Sequence, residues 1–270
     1  MKLIGSKRAV RSVEFHRKQE FYRKIRFGFF TLFVIALLVG PVFLIRSKNL
    51  LISSVSIVGN EVTETSDIQK LVIDKLDGYY LKLFPKSSVA LYPKNEIEKS
   101  LLESIPRLAS ANVSLSGTKS IKVEVAERAP FALYCSDSCF FMDDTGYIYS
   151  EAPTFSSGVY TIYSSKPKLD IPLRTQFFSQ NDLISISTFL KNIESLGFKT
   201  KAVTKKDDEY SATLSAGAEL RWRINQNLEK LFADLNSFMN ESKLKISDLE
   251  RLLYLDLRFD NKIFYKFVGE

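Results

Sequence analysis

The chain has 270 residues, 45% apolar and 26% charged, a balance that suits a protein with a buried core and excludes an intrinsically disordered chain. Its net charge of +7 points to a nucleic-acid partner only until the charge is located. Residues 1–26 hold nine basic side chains against two acidic ones, and the remainder carries 29 of each sign, so no basic face is left for nucleic acid.

The basic tail (1–26) leads into Phe27 to Ile45, nineteen residues without a charge, closed by Arg46 and Lys48. As a helix rising 1.5 Å per residue, the run covers about 28 Å, close to the hydrocarbon thickness of a bilayer. A cleaved signal peptide has a shorter apolar run and a small-residue cleavage site, which RSKNLLISS does not offer. The reading is an uncleaved transmembrane signal anchor at 27–46. The excess of cations before it places the N-terminus in the cytoplasm and everything beyond about residue 47 outside. A nucleic-acid-binding tail is the lesser alternative. Ala36 and Gly40 form a small-xxx-small pair, a weak signal for helix association, and Pro41 bends the span.

Val55 to Gly59 is a short β-branched strand, stopped by the turn dipeptide Gly59-Asn60. TETSDIQKLVIDKLDG then starts a helix, capped by Thr65 or Ser66, with Ile68, Leu71, Val72 and Leu76 at helical spacing. A loop through YYLKLFPKSSVALYP leads to a second helix, with Ile97, Leu101, Leu102 and Ile105 on one side and Pro106 ending it. Two strands follow, ASANVSLSG and SIKVEVAER, the second alternating Ile121, Val123 and Val125 with Lys122, Glu124 and Ala126. The order β-α-α-β-β is a compact unit of two helices on a three-stranded sheet.

From Pro130 onward the texture is mainly strands, FALYC, FFMDD, YIYS and GVYTIY, with Asp144-Thr145-Gly146 as a turn. Cys135 and Cys139, the only cysteines, lie in the exported part, where a disulfide can persist. Either they are joined and pin a hairpin, or they are two free thiols. NDLISISTFLKNIESLGF is a helix with Leu183, Ile186, Leu190 and Ile193 inward and Gly197 as its C-cap. A strand pair around YSATLS and ELRWRI, a helix from Asn225 to about Met239 and a terminal hairpin complete an α+β chain.

The single histidine, His16, lies in the tail, so the exported part has no Ser-His pair and no His-ligated zinc. No G-x-S-x-G, S-x-x-K set, P-loop or G-x-G-x-x-G occurs. The carboxylate neighbours Asp143 and Asp144, and Asp207 and Asp208, read as solvated charges: strand neighbours face opposite ways and turn residues face water. The expectation is a binding or scaffolding protein, not an enzyme, with no catalytic residue, cofactor, metal or small-molecule substrate.

Four stretches, in this order behind a signal anchor, resemble the bacterial cell-division family FtsQ, called DivIB in Gram-positive bacteria. VSIVGN is similar to the first strand and turn of its POTRA domain. VEVAERAPFALY resembles the junction in which Glu-Arg and then Pro close the last POTRA strand, FFMDDTGYIYS the family's Asp-x-x-Gly hairpin, and YLDLRFDNKIFYKF its penultimate strand, with an Asp-Leu-Arg-aromatic core. The resemblance implies a single transmembrane helix, a β-α-α-β-β POTRA-like domain at 50–128, and a β-rich domain at 129–270 with flanking helices and a C-terminal hairpin. It implies a cell-membrane (inner-membrane) protein of the division septum that binds FtsB and FtsL (DivIC and FtsL in Gram-positive bacteria) and acts on the septal peptidoglycan synthase FtsW with FtsI. It also implies that partner strands pair with the C-terminal edge.

In LYLDLRFD, strict alternation points Leu253, Leu255, Leu257 and Phe259 to the core and Tyr254, Asp256, Arg258 and Asp260 outward. With a three-residue loop, Asp260-Asn261-Lys262, Phe259 pairs with Ile263, Leu257 with Tyr265 and Leu255 with Phe267. Outside, Arg258 then meets Phe264 and Asp256 meets Lys266. Asp256 and Arg258 read either as a solvated strand face or as part of a docking site. An edge strand is normally shielded by charge, Pro or a bulge, and Ile263 to Phe267 has only Lys266. The expected partner-binding residues are Asp256, Arg258, Phe259, Ile263, Phe264, Tyr265, Lys266 and Phe267, working by strand addition. The competing reading is a POTRA-containing membrane-anchored adaptor for export or envelope assembly.

Overall fold

A computed structural model describes residues 13–153, 158–242, 246–260 and 262–269. Lys2, Lys7, Arg8 and Arg11 of the basic tail, and Asn261 of the terminal loop, lie outside the described residues. The architecture is mixed α+β. Helix α1 (Val13–Ile45) begins well before Phe27, because the Lys, Arg, Glu and Gln that precede the apolar run are themselves good helix formers. Its Gln19–Ile45 part is long and apolar enough to cross a membrane. The chain, α1 included, divides into two compact units, Met1–Leu101 with Ala111–Val125 and Leu102–Ser110 with Ala126–Glu270.

The elements after α1 are β1 (Ser54–Val58), α2 (Thr65–Leu76), β2 (Tyr79–Tyr80), β3 (Phe84–Pro85), α3 (Lys94–Ser104), β4 (Leu108–Leu115) and β5 (Ser120–Glu127). The sheet order is β1-β5-β4, and β1 runs parallel to β5 with Ile57 opposite Val123. A parallel pair needs a long crossover, which the two helices supply. Ile68 and Val72 of α2, Ile97 and Leu101 of α3, and Ile121 and Val123 of β5 are fully buried. Gly59 takes a left-handed conformation, and a side chain there would collide with the Val125 carbonyl, which explains the turn dipeptide after β1. Three expectations are corrected. Glu64 stands at the N-cap of α2 without a side-chain cap bond, and the Thr65 hydroxyl instead accepts from Asn60 Nδ2 at 2.9 Å. The stretch read as a loop from Tyr79 contains the β2–β3 hairpin. Leu102 of α3 is exposed.

The second unit is built on a nine-stranded sheet of β6 (Ala132–Cys135), β7 (Cys139–Met142), β8 (Ile148–Glu151), β9 (Ile162–Lys166), β10 (Thr200–Lys206), β11 (Glu209–Leu214), β12 (Glu219–Arg223), β13 (Leu252–Phe259) and β14 (Lys262–Phe267). Its order is β14-β13-β12-β11-β10-β9-β6-β7-β8. The strand expected in GVYTIY starts later, at Ile162, and β10, in the charge-rich KAVTKK, was not anticipated. Helices α4 (Gln180–Glu194) and α5 (Leu228–Glu241) connect the parallel neighbours β9 to β10 and β12 to β13. β9 and β12 run the same way and both crossovers step in the same direction, so the same right-handed rule lays both helices on one face, where they touch. Ser179 caps α4 by accepting from the Asp182 N–H, and Asn227 caps α5 by accepting from the Lys230 N–H. Leu183, Ile186, Phe189, Leu190 and Ile193 of α4 and Leu231 and Leu235 of α5 bury against Tyr163, Val203, Trp222 and Leu255 of the sheet. Neither helix covers the opposite face.

The two sheet edges differ. Along β8, the Ile148 N–H donates to Thr175 O (3.0 Å), the Arg174 N–H donates to Ile148 O (2.8 Å), and Tyr147 bridges to Gln176. No such segment lies outside β14 among the described residues.

Candidate functional site

The register of β13 and β14 departs from strict alternation. Leu255 is opposite Tyr265, Asp256 opposite Phe264 and Tyr254 opposite Lys266, whereas Leu252 meets Phe267 and Phe259 meets Lys262. Two bulges on β13 account for this, one between Leu252 and Tyr254 and one between Asp256 and Phe259, each inserting a residue that the partner strand lacks. The expected pairs Phe259–Ile263, Leu257–Tyr265 and Leu255–Phe267 are therefore corrected, as are the contacts of Arg258 with Phe264 and of Asp256 with Lys266. The turn is one residue shorter than Asp260-Asn261-Lys262, since Lys262 already pairs with Phe259. The bulges also re-aim side chains: Leu252, Leu255 and Leu257 are core, but Leu253 and Phe259, expected inside, are exposed.

The helix-free face beside the edge carries a charge network. Arg258 donates from Nε to Asp256 Oδ1 (2.9 Å), from Nη2 to Asp256 Oδ2 (2.6 Å) and from Nη1 to Glu209 Oε2 (2.5 Å). The Arg258 backbone N–H also reaches Asp256 Oδ1 at 3.1 Å. Asp256 is only 5% exposed. Burial by itself would raise its pKa, but the hydrogen bonds from Arg258 and the charges of Arg258 and Arg221 outweigh it and hold the carboxyl below the usual range. Hydrogen bonding to Asp256 in turn keeps Arg258 more firmly protonated. Both are thus built into the sheet, and neither is a free solvated charge. Next to them on β12, Arg221 donates from Nε to Glu219 Oε2 (2.9 Å) and lies 5.5 Å from the Tyr254 ring centroid.

Sequence reasoning missed Glu209, Glu219 and Arg221, and with Arg221 its contact with Tyr254. The Glu219 and Arg221 pairing carried a readable signal, because opposite charges two apart in a strand share a face. Glu209 had none, lying 49 residues before Arg258.

Along β14, the residues alternate between two environments. Ile263 and Phe267 are half-buried against the helical core, and Tyr265 meets Phe238 of α5 with ring centroids 5.2 Å apart. Phe264 and Lys266 face the other way, and the Phe264 ring packs edge-on to Phe259 at 5.1 Å. The Arg258 guanidinium lies 5.9 Å from the Phe259 centroid. Phe264 is 48% exposed and Tyr265 44%. A cleft of about 310 Å³ between α5 and the hairpin is lined by Phe238, Leu257, Phe259 and Ile263. Among the described residues the edge thus offers a side with no neighbouring strand, a small aromatic cluster and an adjoining apolar cleft, an arrangement suited to holding an extended segment.

Two other singled-out features lie elsewhere in the unit. Cys135 and Cys139 face each other at the end of the β6–β7 pair and form a disulfide, Cα atoms 4.1 Å apart. Replacing both with serine is expected to cost about 2 kcal/mol on the chain-entropy model, measured as a lower urea midpoint with the fold retained. Asp143, expected to be solvated, is buried. It accepts from Arg128 Nη1 (2.5 Å), the Thr145 N–H (2.9 Å) and hydroxyl (2.6 Å), and the Tyr147 N–H (3.0 Å). Against burial, these bonds and the Arg128 charge hold its carboxyl below the usual range. Asp144, Asp207 and Asp208 are exposed, as turn carboxylates are. Compared with known proteins, the chain matches no family model, and no curated protein matches it.

Proposed function

We propose that the chain is a non-enzymatic, membrane-anchored scaffold of the FtsQ/DivIB type that captures a strand of an FtsB- or FtsL-like (DivIC/FtsL) partner on β14 and so helps control septal peptidoglycan synthesis by FtsW and FtsI. In this reading, α1 is a single span with its N-terminus in the cytoplasm, and the β-α-α-β-β elements form a POTRA-like domain. The observation that carries it is the β14 edge. No strand pairs with its outer side among the described residues, and two of its three aromatics, Phe264 and Tyr265, remain about half exposed beside that side. An edge of this kind is normally blunted unless it has a partner to receive. The tetrad of Asp256, Arg258, Glu209 and Arg221 supports the reading by holding β13 rigid beneath it, which lowers the ordering cost of capture.

The test is capture of the partner by the full-length protein in detergent. Phe264→Ser is expected to weaken it about tenfold or more, as loss of an anchoring aromatic does; an acidic replacement is avoided because Asp256 lies directly opposite. Undiminished capture by a variant with an unchanged circular dichroism spectrum would sink the proposal. A fluorescent fusion should form a midcell band, and uniform membrane signal would favour the export-adaptor reading.

A further inference from the structure

The β2–β3 hairpin is built against local preference. Its turn residues Leu81 and Lys82 have φ of 51° and 60°, with Leu83 N–H donating to Tyr80 O at 3.0 Å. A tight turn with both central residues left-handed normally takes Asn-Gly. Here it presents Leu81 at its tip, 85% exposed, flanked by exposed Tyr79, Lys82 and Leu83. A strained turn that displays an apolar side chain to water has no folding rationale, and such strain collects where a surface is used.

The position of the hairpin indicates what it meets. Just after α1, Leu50 O accepts from the Val89 N–H (2.9 Å) and the Ile52 N–H donates to Ser87 O (2.8 Å), so the segment following the apolar helix is stitched to the base of the hairpin. Leu50 is five positions beyond Ile45, the last residue of α1, a reach of at most about 18 Å. Arg46, the first residue after α1, lies 5.8 Å from the Tyr79 ring centroid, and Lys86 Nζ lies 5.7 Å from that of Tyr80. Residues 46–53 and 78–89 contain Arg46, Lys48, Lys82 and Lys86 and no acidic side chain. Tyrosines beside lysines, with leucines projecting past them, is the composition of a membrane-interface anchor.

We propose that the Tyr79–Phe84 hairpin inserts its tip into the bilayer surface next to α1, with Leu81 and Leu83 below the headgroups, Tyr79 among them and the basic residues on anionic lipid phosphates. The proposal rests on α1 spanning a membrane and is independent of what binds β14. It gives the first unit a second attachment to the membrane and restricts how it turns about the end of the helix.

The test places an environment-sensitive fluorophore on Leu81→Cys in the full chain, whose native cysteines are paired, reconstituted in phosphatidylcholine vesicles with and without phosphatidylglycerol. Ile171→Cys, exposed in the second unit, is the control. Expected are blue-shifted emission at position 81 and at least about twofold more quenching by lipids spin-labelled near the headgroup than at position 171, increasing with phosphatidylglycerol. Equal quenching at the two positions, in protein that floats with the vesicles, overturns the proposal. Protein that fails to float overturns the membrane reading of α1 itself. Quenching indifferent to phosphatidylglycerol removes the role given to the basic residues. Leu81→Gly separates lipid contact from structure: it relieves the turn, so thermal stability in detergent should rise while quenching of a probe at Leu83→Cys falls.

Discussion

Arg258→Met lowers the stability of the second unit by about 3 kcal/mol at neutral pH, the order expected when one partner of a buried ion pair is removed. The variant leaves Asp256 almost fully buried with its charge and without the Arg258 side-chain donors, and it strips Glu209 of the same guanidinium. Urea unfolding followed through Trp222 measures it directly, because that residue is the only tryptophan and sits between Phe189 and Tyr210, with ring centroids 5.4 and 5.5 Å away. The pH dependence has a defined sign. The Asp256 carboxyl titrates lower in the folded chain than in the unfolded one, so its contribution is fully present above the unfolded value of about 4 and disappears as pH falls through the folded value. The stability gap between the wild-type chain and Asp256→Asn should therefore be flat from pH 5 upward and close on acidification below about 4. A gap that persists undiminished into strong acid would show that the carboxylate is not ion-paired in the fold. Because the network lies directly beneath β14, partner capture should be lost over the same acidic range.

Trp222→Ala should cost about 4 kcal/mol, as expected for emptying the volume of a fully buried indole, whereas Trp222→Phe should cost less than about 1 kcal/mol. The contrast comes from one atom. Trp222 is fully buried, and its Nε1 has no hydrogen-bond partner among the described residues, so the indole fills space at the expense of an unsatisfied donor. Phenylalanine loses part of the packing and removes that donor. Far-ultraviolet circular dichroism across a urea series reads both variants without relying on the tryptophan. A large loss for Trp222→Phe would mean that the indole N–H is satisfied in solution.

The fold was legible wherever a long period was enforced by burial. The uncharged run from Phe27 marked α1 by its length alone, and Leu183, Ile186, Leu190 and Ile193 marked α4, since that face buries against the sheet. Legibility failed where a single residue changes the rule. The inserted residues on β13 turn Leu253 and Phe259 outward although both are apolar, and no local pattern announces a bulge. The β2–β3 turn was hidden because Leu81-Lys82 lacks the glycine or asparagine by which such turns are recognised. Strand β10 was hidden because Val203 is its one fully buried residue and its three lysines, Lys201, Lys205 and Lys206, read as solvated loop. Within the candidate site, the exposed aromatic strand was readable from its missing gatekeepers, but the support beneath it was not. Asp256 and Arg258 became structural through Glu209, which only the sheet brings close, and Asp143 became buried through Arg128.

The unequal edges of the nine-stranded sheet also decide how copies of the chain can associate. The Ile148 N–H and carbonyl at the start of β8 are engaged by Thr175 and Arg174, and Tyr147 just before it bridges to Gln176, which obstructs continuation of β14 of one molecule onto β8 of the next. Through this sheet, two molecules can meet β14 to β14 about a twofold axis, a contact that closes on itself. Self-association through this sheet would stop at a symmetric pair, which competes with the strand capture proposed for the same edge.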